Sequence, residues 1–598
     1  MTDLASSLRP GLLLDVHATG ALSWGDVHVA QKVAHLYGEP EQSVQLALAL
    51  AVRALRAGST CLDLSATEQT VSGVDEDAVG VPPELLPRAE LWRQAITVSP
   101  LVNVGVEPAG DRPLRLVGDL LYLERYWQEE TEVADEIRRR RACLPAPIEP
   151  SRLAAAAAEL LAGDTDTDQA VAAIMPTLTA VTVIGGGPGT GKTHTLARLL
   201  GTLWQTLPKA PLVALAAPTG KAAVRMQEAL AAELDTLPAE VADEIGRLRA
   251  TTIHRLLGWV PESRSRFQHH RANPLPHDVV VVDEASMVNV TLMARLLAAL
   301  RPQARLVLIG DPDQLAPVEA GPVLADIVAA PAPAAAEVQE ALRAVGLPEA
   351  STVVRLMHNY RSVQAIAQLA AAVLAGDPDE TLRLATSGTA GVRFAEHVED
   401  TDLRAVITRS GTAMVAAARA GRVEEALTNL EHHRLLCAHR RGPFGVALWS
   451  RLVEEWLGAA IEGFDPGQQW YPGRPLLVTG NSPDLGLYNG DTGVVVRTEG
   501  DQLRAFFARG TQLHSVSPFL LEGVQTIHAM TVHKAQGGQF EEVTVVLPPP
   551  DSPLLTQELL YTAITRAKAQ VTLIGSVDSL QRAVRQRARR ASGLQRRL

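Results

Sequence analysis

Gly186 and the run Gly191-Lys192-Thr193 stand at the spacing G-x-x-x-x-G-K-[ST], with Gly187, Pro188, Gly189 and Thr190 between them. Glycines in such a loop let backbone N–H groups turn inward onto phosphate oxygens. Lys192 can then reach the β- and γ-phosphates of ATP, and the Thr193 hydroxyl can ligate Mg²⁺. The motif needs a strand before it and a helix after it. The sequence predicts a strand ending at Ile184 and a helix starting near Lys192. Phosphate cradles of this kind serve kinases, GTPases, motors and transporters alike, so the loop alone does not choose among them.

Further residues narrow the choice. "DVVVVDEAS" is a buried strand pattern ending in Asp283-Glu284. Asp283 is suited to hold Mg²⁺ through its water shell, and Glu284 to polarise an attacking water as general base. "IGDPDQLAPVEAGPV" puts a third polar turn, Asp311 to Gln314, at the end of another apolar run, from which Gln314 could touch the γ-phosphate. Arg361 in "HNYRS" and Arg566 in "ELLYTAITRAK" lie beyond the first sheet. An arginine carried across a cleft to the γ-phosphate stabilises transition-state charge. Either arginine alone reads as a salt-bridge residue; the set reads as a motor, and the kinase and GTPase readings fail on it.

The elements that must position these residues are strands and helices in alternation. "AVTVI", "PLVALAAP", "DVVVVDE" and "ARLVLIGD" are β-branched runs without polar alternation, the pattern of parallel strands buried on both faces. "RPLLVTG", "EVTVVLP" and "QVTLIGS" imply a second such sheet. Residues 11 to 143 are helix-rich and lack a phosphate loop, and "CLPAPIEPS" reads as a linker. The stretches 329 to 350 and 381 to 435 read as surface or helical insertions, and the arginine-rich end "QRAVRQRARRASGLQRRL" as a solvated charged tail.

A chain of 598 residues holds three or four units of ordinary domain size, and 46% apolar with 20% charged residues is a globular composition. Cys61, Cys143 and Cys437 stand too far apart for a zinc cluster and fit a reducing cytoplasm. No stretch approaches the roughly 20 apolar residues of a membrane span, and the start is a poor signal peptide. The net charge of −12 does not exclude DNA, since a motor needs only a local basic groove.

Taken in order, Gln169, "GGPGTGKTHT", "AAPTGKAA", "VVVDEASM", "GDPDQL", "NYRS", "AMTVHKAQGGQF" and "YTAITRAK" resemble the motif series of superfamily 1 DNA helicases. "TTIHRLLG", "HHRANPLPHDVVVVDEASM", "CAHRRGPFGV" and "LGLYNGDTGVV" resemble, more narrowly, the RecD family, the alpha subunits of RecBCD helicase–nucleases (exodeoxyribonuclease V). The resemblance implies an α/β fold with two RecA-like parallel-sheet motor domains, small inserted β subdomains and a mainly helical N-terminal domain. Its expected limits are 1–145 for a partner-docking domain, 146–355 for the first motor with a strand-separating β-hairpin pin near 252–278, a segment whose residues alone read almost equally well as a solvated basic loop, and 356–598 for the second motor with an SH3-like insert near 443–525. It also implies 5′→3′ movement on single-stranded DNA at duplex ends, RecB-like and RecC-like partners, and DNA repair by recombination. Gln169 would then contact the adenine edge and Tyr360 stack on the base, while Thr219, Lys221, His254, Thr531, His533 and Lys534 face single-stranded DNA. Gln536 would couple the DNA to the ATP cleft.

The chain departs from that pattern where Gly538-Gln539 stand in place of Ser-Glu, and where His194 follows Thr193 in place of a threonine. Two other readings are a free-standing RecD-like helicase, which usually carries a longer N-terminal extension, and a regulatory ATP-binding subunit that grips DNA ends without unwinding. A nuclease site on this chain lacks a carboxylate cluster other than Asp283-Glu284.

Overall fold

The computed structural model describes residues 11–67, 79–107, 111–161, 166–260, 266–360, 363–482, 484–509 and 512–598. Near the N-terminus, Leu12–Ala18, Trp24–Tyr37, Gln42–Arg56 and Ala89–Val98 are helices, and Leu46, Leu48 and Leu50 of the third are fully buried. A small sheet joins them: β1 (Cys61–Asp63), β2 (Val102–Val104), β3 (Leu114–Val117) and β4 (Leu120–Leu123), in the order β1-β4-β3-β2. Strands of three or four residues are too short to show an alternation, which is why the sequence reads as helical here.

The helix Glu124–Ala142 moves the expected boundary at 145. Its Val133, Ala134 and Ile137 are buried in the same core as Val181, Val280 and Leu308 of the first large sheet. Arg140 donates to the carbonyls of Ala304 and, at 3.0 Å, Arg301, while Glu129 accepts from Thr291 Oγ1 at 2.6 Å and Arg295 Nη2 at 3.0 Å. The prolines after Ala142 do mark a loop, but the packing of the first motor starts before it.

That sheet contains β5 (Val181–Gly186), β6 (Val213–Ala217), β7 (Ala250–Thr252), β8 (Val279–Val282), β9 (Arg305–Gly310) and β10 (Val353–Leu356). All pairings are parallel, in the order β10-β5-β9-β8-β6-β7. Val279 and Val281 are buried on one face and Val280 and Val282 on the other, because successive side chains alternate and helices cover both faces. The stretch 329–350 is no loose insertion: Val338 and Leu342 of the Ala336–Ala344 helix are buried against this core. Within 252–278, Trp259 pairs antiparallel with Phe267 and His270 with Asn273; residues 261–265 lie outside the described residues.

The second parallel sheet begins with β11 (Val392–Ala395) and β12 (His433–Cys437). The first lies within the 381–435 stretch read as an insertion and the second begins in it, so that stretch is part of the core of the second motor. An antiparallel sheet follows: β13 (Pro475–Val478), β14 (Thr492–Arg497), β15 (Leu503–Arg509), β16 (Gln512–Val516) and β17 (Val524–Thr526). The chain then returns to complete the order β11-β20-β19-β12-β18 with β18 (Ala529–Thr531), β19 (Phe540–Val546) and β20 (Ala567–Ile574).

Two expectations change here. "RPLLVTG" forms β13 of the antiparallel insert; Leu476 and Val478 enter the insert's core and Leu477 the second motor's, so it is apolar on both faces as a parallel strand would be. The insert also starts later than 443, because Val446–Ala460 is a helix whose Trp449, Val453 and Leu457 pack with Leu435 and Cys437 of β12.

The C-terminal tail is docked rather than solvated. Thr60 N–H donates to Ala591 O at 2.9 Å, Ala591 N–H to Ser59 Oγ at 3.0 Å, and Ser592 Oγ to Glu130 Oε1 at 2.8 Å. Leu594 is buried with Val133, Ala134 and Ile137. Among the described residues no helix is long and apolar enough to cross a membrane, and no group of three or more His, Cys, Asp or Glu could hold a metal ion by itself.

Candidate nucleotide cleft and DNA-facing surface

The loop after β5 leads into the helix Lys192–Thr206. Gly189 and Gly191 have φ of 83° and 79°, left-handed values at which a side chain is strained. A Cβ on Gly187 would stand 2.7 Å from the Tyr561 hydroxyl, so the second motor closes directly over the loop. Lys192 Nζ donates to the carbonyls of Gly186 at 2.6 Å and Gly187 at 2.9 Å. Thr190 Oγ1 donates to Gly187 O at 2.9 Å, and the buried Gln169 donates through Nε2 to Thr190 O at 3.2 Å.

The segment before Arg361 lies along the same loop. Asn359 Nδ2 donates to Pro188 O at 3.0 Å and Tyr360 N–H to Gly189 O at 2.8 Å. The Tyr360 hydroxyl donates to Asp166 Oδ2 at 2.7 Å, and its half-exposed ring lies 4.4 Å from that of His358. Arg361 itself lies outside the described residues. His194 Nδ1 is 3.0 Å from Glu233 Oε2.

A cavity of about 490 Å³ opens beside this loop, and Lys192, Thr193, Asp283, Glu284, Gln314 and Arg566 all line it. Asp283 follows the last valine of β8, and Glu284 takes a left-handed φ of 51°, an uncommon conformation for a residue with a side chain. The turn makes the Glu284 N–H donate to Asp283 Oδ1 at 2.8 Å. Burial, with the Glu284 charge beside it, pushes the Asp283 carboxyl above the usual carboxylate range, while the Glu284 N–H and Lys192 oppose the shift. Burial also raises Asp311, whose Oδ2 accepts from Gln314 Nε2 at 2.8 Å.

Arg566 forms the opposite wall. It is buried, donating through Nε to Thr562 O and through Nη1 to Gly538 O, both at 3.0 Å. Burial lowers its pKa, and Glu284 and Asp311 counter that shift. At Gly538 a Cβ would stand 2.9 Å from Ala535 O. Gln536 Nε2 donates to Leu315 O at 2.8 Å and ties the two motors together.

The residues expected to face DNA divide into groups. Thr219 caps the helix Gly220–Glu233, its hydroxyl accepting from Ala222 N–H at 3.2 Å. Lys221 is half-buried, and desolvation, with Arg225 and Arg434 nearby, pushes its ammonium down to about 7. His254 is exposed, its ring 5.9 Å from Phe267, and Lys534 is exposed with Nζ donating to Gln525 Oε1 at 2.9 Å. Thr531 is buried and its hydroxyl accepts from Lys534 N–H at 3.3 Å. His533 turns away into a separate cavity of about 890 Å³; its Nε2 is buried without a hydrogen-bond partner, and burial pushes the ring down to about 4.

Two residues at the cleft went unnoticed in the sequence. Arg225 lines the cavity and donates to Gly537 O across it; its signal was the four-residue spacing from Lys221 within one helix. Tyr561 donates to Asp311, and only its place five residues before Arg566 pointed to it.

Three family profiles match the chain: the N-terminal domain of RecBCD enzyme subunit RecD over residues 18–122, an AAA domain over 168–320 and a UvrD-like helicase C-terminal domain over 526–574. The RecBCD enzyme subunit RecD of Mycolicibacterium smegmatis is 47% identical over 579 residues, which cover 96% of this chain and 97% of that protein. This chain belongs to the RecD family. A RecD-family chain with this fold and this P-loop is a nucleotide-binding, ATP-dependent DNA helicase. The ATP-dependent RecD2 DNA helicase of Deinococcus radiodurans is 32% identical over 69% of this chain and only 49% of its own length. Bacteroides Pif1 bound to single-stranded DNA aligns with 68% of this chain and 91% of its own, at 15% identity and a TM-score of 0.38.

Proposed function

We propose that this chain is the 5′→3′ motor subunit of a RecBCD-type complex, working with RecB-like and RecC-like subunits on single-stranded DNA at duplex ends in the cytoplasm. One observation carries the motor reading: Lys192, Asp283 and Glu284 of the first parallel sheet and Arg566 of the second line a single cleft. Two sheets that share one nucleotide must move together when it binds and apart when it is cleaved, which is what translocation needs.

Lys192 would leave the Gly186 and Gly187 carbonyls for the β- and γ-phosphates, Gln169 would meet the adenine edge, and Tyr360 would stack on the base. Thr193 and Asp283, a hydroxyl and a carboxylate on the same cavity, fit Mg²⁺, which supplies neutralisation of phosphate charge when bound. Glu284 would take the proton of the attacking water, and Arg566 would stabilise the charge that develops on the γ-phosphate. Gln314, held by Asp311, would sense that phosphate, and Arg361 is proposed as a second phosphate arginine. Thr219, Lys221, His254 and Lys534 are proposed to grip the strand.

The test is co-purification of the chain with its partners from its own cell, followed by unwinding assays on 5′- and 3′-tailed duplexes. Unwinding from the 5′ tail that is lost with Lys192→Gln supports the reading. Unwinding that survives that change in an otherwise motor-dead complex removes it.

A further inference from the structure

Arg225 sits on the helix Gly220–Glu233, one turn after Lys221 and on the same face. Its guanidinium lines the nucleotide cavity and donates to the carbonyl of Gly537, which belongs to the other motor. The next carbonyl, that of Gly538, accepts from Arg566 Nη1 at 3.0 Å. Gly537 has a left-handed φ of 70°, and Gly538 N–H donates to Ala535 O at 2.9 Å, so this is one tight turn with two adjacent carbonyls, each held by an arginine from a different motor. The same turn holds Lys534, proposed to grip DNA, and Gln536, bonded to Leu315 of the first motor.

We infer that Arg225 is a positioning residue that transmits DNA engagement at Lys221 to the placement of Arg566, through the Gly537-Gly538 turn. This rests on the roles proposed above for Lys221 and Arg566. A helix is stiff along its axis, so a strand that draws on Lys221 also moves Arg225, and the Gly537 carbonyl moves with it. Arg566 is anchored at Thr562 O in the helix that precedes it, at Thr565 Oγ1 beside it at 3.4 Å, and at Gly538 O in the turn. Shifting the Gly538 anchor re-aims the guanidinium without touching those at Thr562 and Thr565. The contact joins the two motors, so it is available only in the closed cleft and makes closure depend on both ligands.

A coupling of this kind is reciprocal: if DNA changes the affinity for nucleotide by some factor, nucleotide changes the affinity for DNA by the same factor. The purified full chain is titrated with a fluorescein-labelled oligothymidylate, with and without a non-hydrolysable ATP analogue, and the ratio of the two dissociation constants is the coupling factor. DNA-stimulated turnover is measured alongside, with Arg566→Ala as a control for lost chemistry. In Arg225→Ala the coupling factor is expected to fall to about one and DNA stimulation of kcat to drop about tenfold or more, while each affinity measured alone, for DNA without nucleotide and for nucleotide without DNA, stays within about twofold. A side chain that only supported the fold would lower both separate affinities and leave their ratio intact. A retained ratio and stimulation in Arg225→Ala, with Arg566→Ala dead, overturns this inference and leaves the motor reading standing. A wild-type chain without any DNA-stimulated turnover removes both.

Discussion

The hydroxyl of Tyr561 donates to Asp311 Oδ2 at 3.1 Å, a bond from a helix of the second motor to the tip of strand β9 in the first. Thr562 beside it accepts from Leu315 N–H at 2.9 Å. These bonds exist only while the cleft is closed. Tyr561→Phe removes one of them and leaves Asp311 its bond from Gln314. A net hydrogen bond contributes about 1 kcal/mol, roughly fivefold in an equilibrium. Tyr561→Phe is therefore expected to weaken ATP binding by about fivefold with little change in kcat. An unchanged ATP affinity by direct titration would show that the bond does not report closure.

Lys192→Gln is expected to abolish ATP hydrolysis with the fold intact. The two bonds lost from the ammonium go to loop carbonyls at a half-exposed site, so no buried partner is stranded. Circular dichroism and the melting temperature should match those of the wild type, while turnover with saturating DNA falls to background.

DNA binding should take up a proton near neutral pH. Lys221 stands at about 7 against an ordinary 10.5, chiefly because it is desolvated, and a DNA phosphate beside it would raise that value again. Above pH 7 the free ammonium has already lost its proton, so binding must restore it and affinity falls as pH rises. Below pH 7 it is charged in both states and contributes no slope. Calorimetry at pH 8 in buffers of different ionisation enthalpy measures the uptake, and Lys221→Gln should remove it.

A chain beginning at Pro147 should not yield a stable motor, in contrast to what the proline-rich linker suggests. It lacks Val133, Ala134 and Ile137, which the first core buries, together with Arg140 and its bonds to Ala304 and Arg301. Stripping these exposes apolar surface and unpaired carbonyls. Size-exclusion chromatography should show aggregation, whereas a chain that keeps Glu124–Ala142 should stay monomeric or nearly so. A monodisperse, active chain from Pro147 would refute this.

The parts legible in the sequence were those where one residue type had to be present for chemistry or for burial on two faces. The P-loop glycines, Asp283-Glu284 and the all-valine β8 carry their reason locally. What went unread depended on partners distant in sequence. β13 looks like a parallel strand because Leu477 meets the second motor's core, and no local pattern separates that from a sheet interior. Residues 381–435 looked like an insertion because β11 is short and β12 begins with His433 and Arg434, two polar residues of which the fold half-buries the first and buries the second. His533 sits one residue from Lys534 yet faces another cavity, a turn geometry that motif spacing does not encode.

The seating of the tail bears on how the protein is made. Ala591, Ser592 and Leu594 complete contacts begun by Ser59, Thr60, Glu130 and Ile137, so the first motor reaches its final packing only after residues 591–594 have left the ribosome. Domains generally fold in order as they emerge, but here an early core waits for residues made after both parallel sheets. A stop codon that removes only the residues after Ser592 would spare every catalytic side chain and still leave a groove open in the half of the protein made first.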